Sequence, residues 1–203
     1  GGQKRVTPAD DPELFAATIG GIGLTGVIEA VGLGLRRVES NAVRMAERRA
    51  RDLDEFLAMQ EEARDRHDYV VGWIDATARG RVLGRGILET ADDAPEGVGE
   101  SGGRRARMPV EMPGFALNRM SVGLFNALYY RRVPAGGRER VVPLTRFLYP
   151  LDAIADWNRL YGRRGFYQFQ CVLPDAESPA GLRRLMEAIS DAGTGSFLAV
   201  LKT

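Results

Sequence analysis

The chain has 203 residues, of which 44% are hydrophobic, 27% charged and 8% aromatic, a size that can bury a real core. Its 28 basic and 27 acidic residues nearly cancel, which gives no support to a nucleic-acid or other polyanion binder. One cysteine and one histidine exclude an intrachain disulfide framework and leave few parts for a metal site or a Ser-His-Asp triad. No apolar run reaches the roughly 20 residues of a membrane span.

The first 37 residues predict a helix, a glycine turn and a strand, in that order. Asp11 and proline at the first helical position predict a short helix over Pro12–Thr18. Residues 21–26 match G-x-G-x-x-G, and the alternation of Val27–Arg37 predicts a strand. A dinucleotide fingerprint requires the strand before the glycines and the helix after them. The order therefore argues against a Rossmann site, and leaves either a turn that a flat ligand can approach closely or a turn without a ligand.

A second unit begins near residue 41. We predict strands over Asn41–Arg49, Tyr69–Thr77 and Leu83–Thr90, with a helix over Asp52–Arg66 between the first two. Residues 91–114 collect Gly, Pro, Asp and Arg without a period, which predicts a long mobile loop.

The remaining elements continue the same alternation of helices and strands. Apolar content predicts buried helices over Leu117–Tyr130 and Leu151–Tyr161, and the Ser178-Pro179 start predicts a helix that ends at Gly193. Strands are expected over Phe166–Leu173 and Ser196–Lys202. A β-α-β pattern near residues 41–77 and again near 166–202 predicts an α+β fold of split-βαβ, ferredoxin-like type: an antiparallel sheet with helices on one face.

The predicted strand Phe166–Leu173 has two different faces. Tyr167, Phe169 and Cys171 share the face expected to pack on helices, which makes Cys171 an inert core thiol. Gln168 and Gln170 share the other face, which meets a polar ligand, another domain or simply solvent.

Two further side chains are candidates for the same surface. If the strands that carry Trp73 and Lys202 pair in the sheet, both can line one concave surface with Gln168 and Gln170. The alternative is that Lys202 is merely solvated, as a lone lysine near a chain end usually is.

Three stretches resemble FAD-linked oxidases of the vanillyl-alcohol oxidase superfamily. Residues 12–28 (PELFAATIGGIGLTGVI) resemble the end of the flavin-binding domain in that superfamily. Residues 149–162 and 165–170, with residues 196–198, Lys202 and the Gly72-Trp73-Ile74-Asp75 motif, are most similar to the branch of decaprenylphosphoryl-β-D-ribose 2′-oxidase-like proteins. The resemblance spans nearly the whole chain apart from residues 91–114.

The resemblance implies a two-domain flavoenzyme, of which residues 1–37 are the C-terminal tail of the FAD-binding domain and residues 38–203 an incomplete substrate-binding cap domain. It implies that the turn around Gly21, Gly23 and Gly26 passes near the FAD and that Ile28 contacts it. The positions that match substrate-pocket residues of the family are Trp73, Leu151, Gln168, Gln170 and Lys202. Lys202 is in addition the expected catalytic residue, as a cation that holds a phosphate or stabilises a developing alkoxide.

The reaction implied is oxidation of a secondary alcohol on a sugar or polyprenyl-phosphate sugar, with hydride transfer to the flavin. A partner reductase that completes an epimerisation, and a location in the cytoplasm or at the membrane periphery, are implied as well. Leu148 stands where the most similar family members carry tyrosine, which puts the identical substrate in question. An aldonolactone or alditol oxidase of the same superfamily, or a ferredoxin-like ligand-binding module without flavin, remain alternatives. Because the loops that hold the FAD pyrophosphate are absent from these residues, we expect the chain alone to be inactive and to bind FAD weakly.

Overall fold

The chain divides into two compact units, Gly1–Arg37 and Val38–Thr203. The computed structural model describes residues 2–98, 106–193 and 196–202. Each unit is considered separately below.

The first unit contains the predicted helix α1, Pro12–Thr18. The Asp11 side chain caps it by accepting a hydrogen bond from the Leu14 amide at 3.1 Å. The predicted strand over Val27–Arg37 is wrong, since residues 27–37 have no regular secondary structure. Its apolar side chains lie in solvent, with Val27 exposed by 92%. Alternation selects which residues would share a face, but a strand also needs a hydrogen-bonded neighbour.

The second unit combines a sheet with helices and short 3₁₀ turns. Its described elements, in chain order, are β1 (Ala42–Ala50), α2 (Leu53–Arg64), β2 (Tyr69–Ile74), β3 (Gly86–Ala94), β4 (Ala106–Arg107), α3 (Arg119–Arg131), β5 (Arg138–Pro143), α4 (Leu144–Leu148), β6 (Ile154–Ala155), α5 (Ser178–Ala192) and β7 (Val200–Leu201).

The main sheet has the strand order β5-β1-β3-β2-β7 and every described pair in it is antiparallel. Strand β3 lies between β1 and β2, while α2 connects those two strands. This arrangement is a split βαβ unit, and it confirms the predicted α+β fold. Strands β4 and β6 form a separate parallel pair.

The two faces of the sheet carry different cores. Helices α2 and α5 contribute Phe56 and Met186 to a cluster with Ile74 and Leu88 on one face. Gly72 makes room there, because a Cβ at this position would lie 2.2 Å from Cζ of Phe56. On the other face, Trp73 packs with Ile87 and Val133, while Phe147 from α4 joins Val43 and Met45.

Several sequence predictions need correction in the loops and in α3. The loop predicted over residues 91–114 begins later, because β3 continues through Ala94; residues 99–105 lie outside the described residues. Helix α3 forms as predicted, but its buried residues are only Val122 and Asn126, so it is an amphipathic helix rather than a buried one. The predicted helix over Leu151–Tyr161 is instead two 3₁₀ segments around β6, because Asp156 takes a left-handed φ of 57° that interrupts a helix.

The predicted strand over Phe166–Leu173 is also wrong. This segment is irregular, and Tyr167, Phe169 and Cys171 are exposed rather than packed on a helix. The closing strand is shorter than predicted, with only Val200–Leu201 paired. Strand-forming residue types favour an extended chain, but a strand also requires a partner edge, which β7 occupies beside β2.

A buried charge cluster lies on the Trp73 face of the sheet, where β1, β3 and β5 meet α3. The Glu47 carboxylate is fully buried and accepts hydrogen bonds from Arg138 and, at 2.5 Å, from Arg132. Arg140 lies 3.2 Å from the same carboxylate, and Arg132 also donates to Glu89 at 2.8 Å. Buried charges require such pairing, so three arginines converge on Glu47.

The same cluster separates the pKa values of its two carboxyls. Burial opposes ionisation of Glu47, but the hydrogen bond from Arg138 and the charges of Arg132 and Arg140 outweigh it and lower the pKa of Glu47. Burial raises the pKa of Glu89, which Arg132 only partly offsets. Glu89 therefore takes up a proton before Glu47 does as the pH falls.

We predict that Glu47→Ala lowers the free energy of unfolding by about 3 kcal/mol, because it leaves three arginines around an empty buried site. Urea denaturation of the purified protein measures the change. Glu139→Gln is the control, since Glu139 lies on the neighbouring strand β5 but is exposed; we expect it to change stability by less than about 0.5 kcal/mol. Equal effects of the two substitutions would contradict the role assigned to Glu47.

We predict a pH-dependent difference between the wild type and Glu89→Gln. A carboxyl whose pKa is raised on folding stabilises the fold below its unfolded pKa, about 4.3 for glutamate, and this contribution is lost as the pH rises through the folded pKa. As the pH rises above the unfolded pKa, the free energy of unfolding of the wild type should therefore fall relative to that of Glu89→Gln. Urea denaturation between about pH 4.5 and 7.5 measures the difference. Parallel curves for the two proteins would contradict the raised pKa.

Candidate functional site

A continuous row of aromatic rings runs from the sheet to the segment that follows β6. Successive ring centroids in this row are 4.3–5.7 Å apart along the path Trp73, Tyr129, Phe125, Phe197, Tyr161 and Phe166. Trp157 contacts the last two rings at 6.1 and 5.8 Å. We call these seven residues the aromatic row. Such spacings are those of favourable edge-to-face and offset ring contacts.

The aromatic row is buried at one end and open at the other. Trp73 is 7% exposed, whereas Phe125 and Phe166 are 47% and 48% exposed. Burial raises the pKa of the Tyr161 hydroxyl above its ordinary value. An open aromatic surface beside polar side chains is the kind of surface that binds small organic ligands.

Trp73 itself has a clear structural role. Its indole N–H donates to the Phe197 carbonyl at 2.9 Å, and its ring packs on Tyr129. The strand register pairs Trp73 with Val200, so these side chains lie on the same face of the sheet. The pairing of the Trp73 strand with the last strand, which the sequence left as a condition for a shared surface, is therefore present.

A second buried carboxylate, Asp75, lies directly after β2. It accepts two hydrogen bonds from Arg85, at 2.9 and 2.6 Å, and one from Asn126 at 2.8 Å. Asn126 also donates to the Ser196 carbonyl at 3.1 Å. The carboxylate thereby connects the β2–β3 hairpin to α3 and, through α3, to the last described segment.

The structure brings some of the predicted substrate residues together and not others. Lys202 directly follows β7 and is exposed, but it lies outside the paired residues, so the register that puts Val200 beside Trp73 does not fix its side of the sheet. Leu151 is half-buried within the 3₁₀ segment Pro150–Ala153. Gln168 and Gln170 are exposed in the irregular segment 165–174, so a shared strand does not place them beside Trp73 as predicted.

An open cavity of about 670 Å³ is lined by residues 111–115 and by Arg163. Its lining includes Phe115 and Arg163, and Arg163 lies 3.6 Å from Glu111. The Arg163 and Glu111 side chains are 94% and 57% exposed, so this is an open surface depression rather than an enclosed ligand site.

The glycine turn of the first unit has its own geometry. Gly23 and Gly26 have φ values of +75° and +146°, and a Cβ at either position would meet nothing within 4 Å. Gly21 is different, because its Cβ would lie 2.1 Å from the Ala17 carbonyl oxygen; packing against α1 already requires a glycine here. Ile28 is 59% exposed.

In a comparison with known proteins, no family model matches the chain. It is 30% identical to decaprenylphosphoryl-beta-D-ribose oxidase of Mycolicibacterium smegmatis, over 98% of this chain and 45% of that protein. The chain is a relative of that oxidase. The resemblance to FAD-linked oxidases drawn from the sequence is thereby confirmed.

A second relative of the chain is an uncharacterized protein in the 5′ region of mprA in Streptomyces coelicolor. The identity is 31%, over 93% of this chain and 55% of that protein. The chain thus spans about half the length of the curated relatives it matches. Among the described residues, no helix is long and apolar enough to cross a membrane. Over the same residues, no group of three or more His, Cys, Asp or Glu side chains is arranged to hold a metal ion.

The sequence patterns did not predict either of the two buried carboxylate networks of this chain, around Glu47 and around Asp75. Glu47 and Arg140 occupy positions of β1 and β5 where apolar residues would be expected. A single polar residue on the buried side of α3, Asn126, was the corresponding signal for the Asp75 network. Polar residues at buried positions predict that partners exist, but their identity depends on contacts between residues far apart in the chain.

We predict that Cys171 reacts with a thiol reagent in the folded protein. Because its side chain is exposed, alkylation by iodoacetamide, followed by mass spectrometry of the peptide that contains Cys171, should proceed within about threefold of the rate in urea-unfolded protein. Labelling that requires unfolding would instead support the buried thiol expected from the sequence.

Proposed function

We propose that this chain is part of an FAD-dependent oxidoreductase that oxidises a secondary alcohol of a sugar, in the manner of a decaprenylphosphoryl-ribose 2′-oxidase. The observation that carries the proposal is the similarity to decaprenylphosphoryl-beta-D-ribose oxidase, which extends over 98% of this chain. In this proposal residues 1–37 are the tail of the FAD-binding domain and residues 38–203 the substrate-binding cap.

The glycine turn fits contact with FAD. The open space at Gly23 and Gly26 leaves the backbone accessible to a flat ring system, and the exposed Ile28 side chain offers an apolar contact. Gly21 lies in the same turn, with packing on α1 as a further reason for glycine. Bound FAD supplies the acceptor for the hydride that leaves the carbon of the alcohol.

The substrate side of the proposed site is the open end of the aromatic row together with Lys202. The exposed Lys202 ammonium provides a positive charge that binds a substrate phosphate or stabilises negative charge on the reacting oxygen. Gln168 and Gln170 offer amide donors and acceptors that match sugar hydroxyls. Leu151 contributes apolar surface, whereas the role proposed for the buried Trp73 is to support the aromatic row through its contact with Tyr129.

The finer proposal concerns the substrate and partners. We propose a sugar, or a polyprenyl-phosphate sugar, as substrate, and a reductase as the partner that completes an epimerisation. The mixture of aromatic, amide and cationic groups suits a ligand that combines a sugar with a phosphate. A location in the cytoplasm or at the periphery of a membrane accords with such a substrate.

Flavin spectroscopy of the full-length protein tests the reaction class. The purified protein should show flavin absorbance near 450 nm that is bleached anaerobically by the correct sugar substrate. A panel of polyprenyl-phosphate riboses, aldonolactones and alditols distinguishes the branches of the superfamily. Protein without flavin absorbance, even after incubation with FAD, would overturn the proposal.

We predict that Lys202→Ala in the full-length protein lowers turnover at least about tenfold, which corresponds to roughly 1.4 kcal/mol of lost transition-state stabilisation. The chain offers a matched control, since its only other lysine is Lys4. Lys4 lies in the first unit and forms an exposed ion pair with Asp11, so Lys4→Ala should leave turnover unchanged. Unchanged kinetics for Lys202→Ala would remove this lysine from the site.

A further inference from the structure

We propose that Asn126 is a positioning residue that holds residues 196–202, and with them Lys202, in place on the sheet. The hydrogen bonds that carry this inference are independent of the reaction. Its functional consequence rests on the role proposed above for Lys202.

The side chain of Asn126 has one possible orientation in its surroundings. Asn126 is fully buried on α3, and its two neighbours are the Asp75 carboxylate at 2.8 Å and the Ser196 carbonyl at 3.1 Å. Both neighbours are acceptors, so only the amide NH₂ group can face them. The Oδ1 atom consequently has no hydrogen-bond partner among the described residues. A buried acceptor without a partner costs free energy of folding. We infer that the two hydrogen bonds donated by the amide are what this side chain contributes.

Asp75 provides a rigid attachment for Asn126. Its carboxylate is fully buried and also accepts from the Thr77 amide at 2.9 Å, the Thr77 hydroxyl at 2.6 Å and the Arg85 guanidinium. A buried carboxylate with this number of donors is fixed in position. Asn126 therefore links the backbone at Ser196 to a carboxylate that is held in place on the β2–β3 hairpin.

The segment that Asn126 holds has few other attachments. Its strand, β7, consists of two residues. Nearby, the Trp73 indole holds the Phe197 carbonyl and the Ile74 amide holds the Ala199 carbonyl at 3.0 Å. Two side-chain bonds to consecutive carbonyls thus fix the start of a segment whose sheet pairing alone is marginal.

Positioning this segment also positions two groups of the proposed site. Phe197 is the member of the aromatic row that joins α3 to Tyr161, at centroid distances of 5.7 Å from Phe125 and 5.3 Å from Tyr161. Lys202 lies at the other end of the same segment. A shift at residue 196 would therefore move both a ring and the cation, and small misplacements of catalytic groups are costly in rate.

Hydrogen–deuterium exchange in the full-length protein tests the structural part. Asn126→Leu conserves size but removes both bonds, so the amides of residues 196–202 should exchange about tenfold faster. The matched control is Val122→Ala, which alters a buried apolar residue one turn earlier on α3 without removing a hydrogen bond. Its exchange in that segment should match the wild type. If Asn126→Leu does not fold, the smaller Asn126→Ser, whose hydroxyl is too short to bridge both acceptors, replaces it.

A double-mutant cycle tests the functional part. Asn126→Leu should lower kcat about tenfold in the wild type, but clearly less in a Lys202→Ala background, because the part of the loss that comes from misplacing Lys202 is already gone and only the part that comes from Phe197 remains. Unaltered exchange in Asn126→Leu, or the same acceleration in Val122→Ala, would overturn the inference, as would additive losses of kcat. If the wild type oxidises no sugar, the proposed function fails, whereas the exchange comparison still decides whether Asn126 holds the segment.

Discussion

Burial of the Asp75 carboxylate determines how the second unit is held together on the face of the sheet that carries Trp73. A charge removed from water must be paired and hydrogen-bonded, and Asp75 meets this requirement with groups from three places: Arg85 on its own hairpin, Thr77 beside it and Asn126 on α3. Through Asn126, this carboxylate links helix α3 and the Ser196 carbonyl to the sheet. Apolar packing alone, which is non-directional, would not define their positions as narrowly.

The Glu47 cluster solves the same problem on the same face of the sheet, where β1, β3 and β5 meet α3, with a different set of partners. Three arginines surround Glu47, and one of them, Arg132, is shared with Glu89. Arg132 also lies 4.2 Å from the centroid of the Tyr129 ring, so the charge cluster is in contact with the aromatic row. Guanidinium groups suit this task because their planar donors bind carboxylates in fixed directions and also stack on rings.

These two networks frame the surface on which the proposed function depends. The aromatic row runs between Trp73, which is anchored in the core, and Phe166, which is half open to solvent. Lys202 directly follows the edge strand β7. If a bound flavin carries the redox step, as proposed, the protein has to supply orientation and charge, and these are the roles proposed for the aromatic row and for Lys202. The scarcity of histidine and cysteine noted in the sequence accords with that division of work.

The sequence by itself determined the fold class, the split-βαβ pattern near residues 41–77 and the resemblance to FAD-linked oxidases, because periodic apolar residues, helix caps such as Asp11 and Gly193, and local motifs act over a few residues. Only the tertiary structure decided which extended segments become strands. Phe166–Leu173 and Val27–Arg37 have strand-forming alternation but no paired edge. The contacts from Arg132 to Glu47, from Asn126 to Asp75 and from Asn126 to Ser196 span 85, 51 and 70 residues of the chain, so neither buried network could be read from local pattern. Hydrogen-bond partners across such separations exist only once the sheet brings them together.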